Sequence, residues 1–169
     1  MENLQENSEE IARLVMQVKS AATSKDLTIS TAESCTGGGL ASCLTNTPGS
    51  SKFFDSSIVA YSNASKVKLL GVSPDTIRNY GAVSENVVKE MCFGLLERTD
   101  SDIGVALSGI MGPEADGTSK DIGTVWLSIN AKGSRHITQM LKLDGDREFN
   151  KLKSILYALN YLSDFIDRV

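Results

Sequence analysis

The chain has 169 residues, 41% of them hydrophobic, and this length and composition fit one domain with a buried core. The formal net charge is -4 and the sequence contains no basic block, which disfavours the binding of DNA or RNA. The amino terminus is acidic and polar, and no apolar run approaches about 18 residues, so we expect a cytoplasmic protein without a membrane segment.

The predicted elements begin with an amphipathic helix. Ser8, followed by two glutamates, is its expected cap, and residues 1–7 are expected to form a flexible terminus. Residues 27–31 predict a short strand, and Gly37 to Gly39 lead into a second helix that ends before Asn46. The chain therefore opens with helix, strand, bend and helix.

The pattern of strand, bend and helix then repeats. Residues 56–62 predict a buried strand, followed by a helix that is capped by Asn63 and ends at Gly71. After a turn region around Pro74, Ser84 is the expected cap of a further amphipathic helix. The apolar face of that helix includes a cysteine, which we interpret as part of the core.

The last third of the chain predicts three strands and a helix. Residues 102–109 alternate large apolar with small residues, so one face of this strand should pack closely against a neighbour. Residues 123–130 and 134–143 predict an antiparallel hairpin, and apolar positions from Leu152 to Ile166 define a closing helix. Together the elements predict an α/β fold with a mixed sheet of about five strands and helices on both faces.

Polar or small residues follow three of the predicted strands. The first strand ends at Glu33 and Ser34, the second at Tyr61 and Ser62, and the third at Ser108 and Gly109. Open α/β sheets bind their ligands beyond the carboxyl ends of the strands. We therefore expect these residues to line one crevice.

The glycines after the first strand can serve structure or chemistry. Gly37 to Gly39 could let a helix approach the sheet, or could leave N–H groups at a positive helix end for a phosphate or an oxyanion. Two common phosphate-loop patterns, G-x4-G-K-[ST] and G-x-G-x-x-G, are absent from the sequence. Hydrolysis of a nucleoside triphosphate is therefore not indicated.

The cysteines and the single histidine exclude several chemistries. Cys35, Cys43 and Cys92 are odd in number and unrelated in spacing, which favours reduced thiols over disulfides or a zinc site. His136 lies in an alternating apolar and polar segment, so we interpret it as a solvated strand residue rather than the base of a catalytic triad.

Ser34 is the candidate nucleophile, and a serine hydroxyl needs a neighbouring base. The candidate bases are Lys66, Tyr61 and Glu33. Lys66 falls in the first turn of its predicted helix, where the positive helix end and partial burial both disfavour an ammonium. The alternative is an ordinary solvated helix lysine like Lys68. The Tyr61 ring could fill the core, or its hydroxyl could relay a proton between Ser34 and Lys66.

Cys35 is a rival nucleophile, because thiols at helix amino termini can have a lowered pKa. If Ser34 points into the crevice from an extended segment, however, Cys35 points away from it. Alkylation of the thiol would separate these two readings.

Eight short segments occur in the order and at nearly the spacing found in one protein family. They are TAESCTGG, PGSS, AYSNASK, GVS, YGAVSE, LSGIMGP, GTVW and GDR. On these motifs the chain resembles the CinA C-terminal domain family, which includes nicotinamide mononucleotide amidohydrolases. The resemblance covers roughly Ser8 to Arg168, and we expect residues 1–169 to form a single domain of this family. It implies a three-layer α/β/α sandwich with a mixed, mostly parallel sheet.

The resemblance also implies an activity. The carboxamide of nicotinamide mononucleotide, a small pyridine nucleotide, would be hydrolysed to nicotinate mononucleotide and ammonia by a homodimer that needs no metal or organic cofactor. The nucleophilic serine of the family corresponds to Ser34, and its tyrosine and lysine correspond to Tyr61 and Lys66.

In our hypothesis Lys66, assisted by Tyr61, takes the proton of Ser34, and backbone N–H groups between Cys35 and Gly38 hold the oxyanion. The residues expected to bind the oxyanion or the substrate are Glu33, Cys35, Thr36, Gly37, Gly38, Ser50, Ser51, Asn63, Ser108, Gly109, Gly112 and Arg147. Arg147 could alternatively belong to a surface or helix-cap ion pair.

Two motifs depart from the usual family pattern. Ala64 and Ser65 stand where the family usually has glutamate and alanine, and Met111, Ala115 and Asp116 occupy positions that are usually small. Asp116 could repel a substrate phosphate if it faces the crevice. The chemistry stays plausible, but the choice of substrate is left open.

Two alternative functions remain. One is a binding module without catalysis that recognises a nucleotide in the same crevice or acts through a partner in competence or damage responses. The other is an amidase that uses Cys35. The presence of Ser34, Tyr61 and Lys66 together argues against a module that only binds.

Overall fold

The computed structural model describes residues 4–169, with side chains described from residue 6 onward. Helices and strands alternate along this part of the chain. In order, the elements are α1 (Leu4–Ser24), β1 (Ile29–Glu33), α2 (Gly39–Thr45), a short 3-10 helix (Ser50–Lys52), β2 (Phe54–Val59), α3 (Asn63–Leu70), α4 (Pro74–Tyr80), α5 (Glu85–Arg98), β3 (Ile103–Gly109), β4 (Thr124–Ala131), β5 (His136–Lys142) and α6 (Arg147–Ile166).

The strands form one mixed sheet in the order β2-β1-β3-β4-β5. Strand β1 pairs in parallel with both β2 and β3, whereas β4 runs antiparallel to β3 and to β5. Strands β1, β2, β3 and β5 therefore end at the same side of the sheet, which we call the carboxyl edge. The predicted mixed sheet of five strands and its hairpin are confirmed.

Helices cover both faces of the sheet, as predicted. One hydrophobic cluster joins α1, α2 and α6 to one face and includes Leu14, Leu40 and Leu159. A second cluster joins α3 and α5 to the other face and includes Leu70 and Met91. The three-layer α/β/α arrangement is confirmed.

The close approach predicted at the third strand occurs between β3 and α5. A Cβ added to Gly104 would lie 3.0 Å from Leu96 Cγ and 3.3 Å from Cys92 Sγ. Cys92 is fully buried and its thiol donates to the Gly104 carbonyl oxygen. The interpretation of this cysteine as core is confirmed.

Helix α1 begins earlier than predicted. It already includes residues 4–7, so Ser8 lies inside the helix and does not cap it. Asn7 is buried, and its Oδ1 accepts a hydrogen bond from Lys153 of α6 at 3.2 Å. Residues 4–7, which were expected to belong to a flexible terminus, are helical, and residues 1–3 lie outside the described residues.

Three further details correct the sequence prediction. Strand β2 is an edge strand with partly exposed side chains, because it has one neighbour instead of two. The turn region around Pro74 contains helix α4, in which Ser73 is the N-cap and the proline takes an initial position that needs no N–H donor. The cap of α3 is Ser62 rather than Asn63.

Among residues 4–169, no helix has the length and apolar character that crossing a bilayer would require.

Candidate active site

The predicted crevice lies at the carboxyl edge of the sheet. It is a cavity of about 210 Å³ whose walls come from the loops after β1, β2 and β3 and from the start of α6. The lining includes Ser34, Tyr61, Lys66, Ser108, Gly109 and Arg147. The sequence prediction that the three strand ends meet at one crevice is confirmed.

Ser34 and Lys66 are in direct contact inside this cavity. Lys66 Nζ lies 2.8 Å from Ser34 Oγ, and it also lies 3.1 Å from the carbonyl oxygens of Ala60 and of Tyr61. Lys66 is 2% exposed and Ser34 is 7% exposed. The carbonyls can only accept hydrogen bonds, so a neutral amine would donate its two hydrogens to them and turn its lone pair toward the serine hydroxyl.

Burial lowers the pKa of Lys66. No carboxylate lies within salt-bridge distance of Nζ in the described part of the chain. The neutral amine is therefore favoured more than it is for a lysine in water, and a neutral amine can act as a base.

Helix α3 positions Lys66 through a capping box. The Ser62 hydroxyl accepts from the Ser65 N–H at 3.0 Å, and the Ser65 hydroxyl accepts from the Ser62 N–H at 3.0 Å. Lys66 follows directly, and helical side chains lean toward the helix amino terminus, which here faces the end of β2. Ser65, one of the departures from the family pattern, thus fixes the start of the helix that carries Lys66.

Glu33 anchors the loop between β1 and α2 instead of facing the cavity. Its side chain is fully buried, and both carboxylate oxygens accept hydrogen bonds. The donors are the N–H groups of Gly38, Leu40 and Ala41 and the hydroxyls of Thr31 and Thr36. These bonds leave Glu33 no free role as a base, so its contribution is to hold the loop and the start of α2.

The loop amides expected to hold an oxyanion are partly occupied. The Gly37 N–H donates to the Ser34 carbonyl at 3.1 Å, and the Gly38 N–H donates to Glu33 at 3.0 Å. Within the described residues, the amides of Cys35 and Thr36 have no oxygen acceptor, and both interact with the Cys35 thiol. Of the backbone amides of residues 35–38 that were expected to bind the oxyanion, only those of Cys35 and Thr36 therefore remain as candidate donors.

Cys35 does not have the properties of a nucleophile. It is 4% exposed and packs in the larger hydrophobic cluster, and burial raises the pKa of its thiol to about 12. A thiolate is the reactive form of cysteine, and this environment suppresses it. The structure therefore argues against the alternative of a cysteine amidase.

The phenol of Tyr61 is exposed and does not bridge Ser34 and Lys66. Its Oη accepts a hydrogen bond from Arg147 Nη2 at 2.9 Å, while its backbone carbonyl is the group that Lys66 contacts. Arg147 Nη1 also donates to the Gly112 carbonyl oxygen at 2.8 Å. Arg147 thus joins the loops after β2 and β3, and its partners are a phenol and a carbonyl rather than the carboxylate of an ion pair.

The other predicted binding residues divide into two groups. Ser108, Gly109 and Asn63 line the cavity, although the Ser108 hydroxyl already donates to the Ala82 carbonyl at 2.9 Å. Ser50 and Ser51 lie in the 3-10 helix that precedes β2, at the opposite end of the sheet from Ser34. The structure does not bring these two serines to the site, because the strand separates them from it.

His136 stands at the start of β5, also away from the carboxyl edge. Its Nε2 lies 3.0 Å from the hydroxyl oxygens of Ser128 and Thr138, and Phe93 packs beside the ring. The side chain is half-buried and burial lowers its pKa, so the description of a solvated residue was wrong. Its exclusion from a catalytic triad agrees with this position.

Sequence reasoning missed two residues of α6. Asn150 is buried and donates through its amide to the carbonyls of Met111 and Gly145, which joins the loop after β3 to the loop before α6. Lys151 reaches the loop after β1, with Nζ 4.0 Å from a Cβ added to Gly37. The spacing of Lys151 four residues after Arg147 was the available signal, because such residues share a helix face.

Comparisons with known proteins agree on one family. A family model described as the CinA C-terminal domain matches residues 11–166. The nicotinamide-nucleotide amidohydrolase PncC of Enterobacter agglomerans is 42% identical over 154 residues, which cover 90% of this chain and 94% of that protein. PncC of Escherichia coli K12 is 39% identical over 153 residues, covering 90% of this chain and 93% of its own length. The crystal structure of a CinA superfamily protein from Klebsiella pneumoniae superposes with a TM-score of 0.91 at 33% identity, covering 94% of this chain and 99% of that one.

Proposed function

The chain belongs to the CinA C-terminal domain family, and we propose that it is a nicotinamide-nucleotide amidohydrolase that converts nicotinamide mononucleotide to nicotinate mononucleotide and ammonia. Relatives that carry the name of this activity match it over nearly their full length. The observation that carries the proposal is the 2.8 Å contact between Ser34 Oγ and a buried Lys66 Nζ without a counter-ion within the described residues.

The first half of the proposed reaction forms an ester on Ser34. As Oγ attacks the carboxamide carbon, its proton passes to the neutral Nζ of Lys66, and the carbonyl oxygen of the substrate becomes an oxyanion. The N–H groups of Cys35 and Thr36 are the proposed donors to that oxyanion. Lys66 then returns the proton to the amide nitrogen, the C–N bond breaks, and ammonia leaves.

The second half hydrolyses the ester. Lys66 takes a proton from a water molecule, whose oxygen attacks the ester carbon and forms a second oxyanion at the same donors. Collapse breaks the bond to Oγ and Ser34 recovers its proton from Lys66. The product acid then loses its remaining proton to solvent and leaves as the nicotinate carboxylate. Proton transfers in both halves use the same Ser34–Lys66 pair, so no metal or organic cofactor is needed for the balance of the reaction.

Tyr61 and Arg147 have supporting roles in this proposal. The Tyr61 carbonyl accepts from Lys66 and helps to orient the amine, while its phenol is held by Arg147 at the mouth of the cavity. A volume of about 210 Å³ suits a pyridine ring and its carboxamide, with the ribose phosphate extending toward the mouth. Tyr61 is therefore proposed as a positioning residue rather than a proton relay.

Ammonia release from nicotinamide mononucleotide tests the proposal. Ser34→Ala and Lys66→Ala should each lower kcat by about a thousandfold or more, because each removes a partner of the proton transfer. Ser51→Ala and Lys68→Ala are matched controls, since both residues are exposed and lie outside the cavity, and they should keep wild-type turnover. Normal turnover by the Ser34 variant would refute the nucleophile.

The same assay separates the enzyme from the binding module. Wild-type protein that binds nicotinamide mononucleotide in calorimetry but releases no ammonia from any pyridine nucleotide would favour a module without catalysis.

We also propose that the protein works in the cytoplasm as a homodimer, as expected from the sequence. Light scattering on the purified chain tests the dimer through a mass twice that of the 18.2 kDa monomer.

A further inference from the structure

One face of α6 runs along the loop that carries Ser34. Arg147, Lys151 and Ile155 occupy successive turns of this face. Arg147 contacts the loops after β2 and β3, Lys151 approaches Gly37, and Ile155 Cδ1 lies 2.8 Å from a Cβ added to Gly39. The Lys151 ammonium therefore stands beside Gly37, an exposed residue only three positions after Ser34.

The two cations on this face keep their charge available. Arg147 donates to a phenol and to a backbone carbonyl, which are neutral acceptors, and its guanidinium retains further N–H donors. Lys151 is half-buried and makes no hydrogen bond or ion pair with the described part of the chain. The neighbouring Asp146 accepts a hydrogen bond at Oδ1 from the Phe149 N–H at 2.9 Å and forms no ion pair with either cation within the described residues.

A second, larger cavity adjoins the active-site cavity, and its side chains are less suited to binding an anion than the α6 face. This larger cavity of about 630 Å³ shares Asn63, Ala82 and Asp116 with the first, so Asp116 lines both cavities. Its Oδ1 accepts hydrogen bonds from the N–H and the hydroxyl of Thr118. In the larger cavity Arg78 pairs with Asp75, while Lys120 donates to one neutral acceptor, the Tyr80 carbonyl, at 2.6 Å.

We propose that Lys151, together with Arg147, forms the subsite that holds the phosphate of the substrate, while Asp116 turns the phosphate away from the larger cavity. This inference rests on the proposed function, because it assigns the polar end of the same substrate. A phosphate at the α6 side would accept hydrogen bonds from both cations, and an ammonium and a guanidinium are the side chains best suited to it. Lys151 binds substrate and takes no part in proton transfer.

Two substrates that differ only in the phosphate test the subsite. Lys151→Gln should raise KM for nicotinamide mononucleotide about tenfold or more and leave kcat within about twofold, because it removes a charged hydrogen-bond donor to the phosphate. For nicotinamide riboside, which lacks the phosphate, kcat/KM should stay within about twofold of the wild type. Lys151→Arg, which keeps the charge, should restore most of the lost affinity.

Lys120→Gln is the matched control in the larger cavity, and it should leave KM for both substrates unchanged. The deciding quantity is kcat/KM for nicotinamide mononucleotide divided by kcat/KM for nicotinamide riboside. The inference would be overturned if Lys151→Gln left this ratio at the wild-type value. It would also be overturned if Lys120→Gln lowered the ratio and Lys151→Gln did not. Absence of any wild-type turnover would refute the proposed function separately. In that case, calorimetric affinities of wild type and Lys151→Gln for nicotinamide mononucleotide decide the subsite, because equal affinities would contradict it.

Discussion

The ammonium form of Lys66 is disfavoured because its side chain is almost fully buried and no carboxylate of the described residues compensates it. Burial lowers the pKa of Lys66, so the neutral base should become available below the ordinary lysine value of about 10.4. We therefore predict that kcat for ammonia release rises with pH and levels off at an inflection below that value. A series of initial rates in overlapping buffers measures this profile.

The control for that profile is Lys66→Arg. A guanidinium stays protonated throughout the accessible pH range, so this variant should be inactive at every pH although its charge and its donors are retained. Activity in the arginine variant, or a wild-type rate that does not change with pH, would contradict a lysine base.

The thiol of Cys35 provides a second prediction at the scale of one residue. Because burial raises its pKa to about 12, iodoacetamide at pH 8 should leave Cys35 unmodified and turnover unchanged. Cys43 is less buried and serves as the internal comparison for alkylation, measured by peptide mass spectrometry. An adduct on Cys35 that accompanies loss of activity would bring back the thiol as nucleophile.

The sequence predicted the contact between Ser34 and Lys66 but not the position of the Tyr61 phenol. Ser34 and Lys66 each follow or adjoin the end of a parallel strand, and parallel strands bring such ends together. The role of Tyr61 could not be read in the same way, because its phenol is held by a residue 86 positions away. A relay depends on where a side chain points, and no spacing rule gives that.

Helix α2 depends on a single buried carboxylate at its start. Glu33 satisfies three backbone N–H groups and two hydroxyls, so Glu33→Gln would leave fewer acceptors and turn an NH₂ group toward N–H donors. We predict a loss of about 2–4 kcal/mol in the free energy of unfolding, measured with urea. Glu97→Gln, at an exposed carboxylate, is the control and should change this free energy by less than about 0.5 kcal/mol.

Helix α5 determines the position of α3, and hence of Lys66, through a glycine. A Cβ on Gly94 would lie 1.7 Å from the Leu70 carbonyl oxygen at the end of α3, so Gly94→Ala must separate the two helices. We expect a loss of about 1–3 kcal/mol in the free energy of unfolding and a lower kcat, because Lys66 moves with α3. Asn86→Ala, on the exposed side of α5, should change neither quantity appreciably. If Gly94→Ala kept the wild-type free energy of unfolding and kcat, the contact between residue 94 and the Leu70 carbonyl oxygen would not determine the position of α3.

Elements with clear caps were predicted well, and those defined by long-range packing were not. Ser84 was identified as a cap from its position before an apolar stripe, and its hydroxyl accepts from the Val87 N–H. The start of α1 was missed because Asn7 packs on α6, which lies at the other end of the chain. Edge exposure of β2 was also missed, since strand order is a property of the assembled sheet.

At the scale of the molecule, the active site joins both layers of helices. Ser34 belongs to the loop before α2 on one face, and Lys66 comes from α3 on the other. The alternation of strands and helices predicted these two layers and the crevice between their loops. It did not predict that α6 returns to the crevice, because that follows from the direction of β5 in the hairpin.

The sheet also couples the two hydrophobic clusters. Neighbouring residues of β3 face opposite layers, with Val105 in the larger cluster and Ala106 in the smaller one. If one layer of helices separated from the sheet, it would expose one face of strands whose other face supports the second layer. We therefore predict a single cooperative unfolding transition.

Urea titration followed by three signals tests this prediction. Far-UV circular dichroism reports the helices, fluorescence of the single tryptophan, Trp126, reports the smaller cluster, and ammonia release requires Ser34 and Lys66 to remain in contact. Because the same strands support all three signals, their midpoints should agree within about 0.3 M urea. A tryptophan midpoint well below that of circular dichroism would show that the layer of α3 and α5 unfolds by itself. Activity lost ahead of both would show instead that the contact between Ser34 and Lys66 opens while the sheet stays intact.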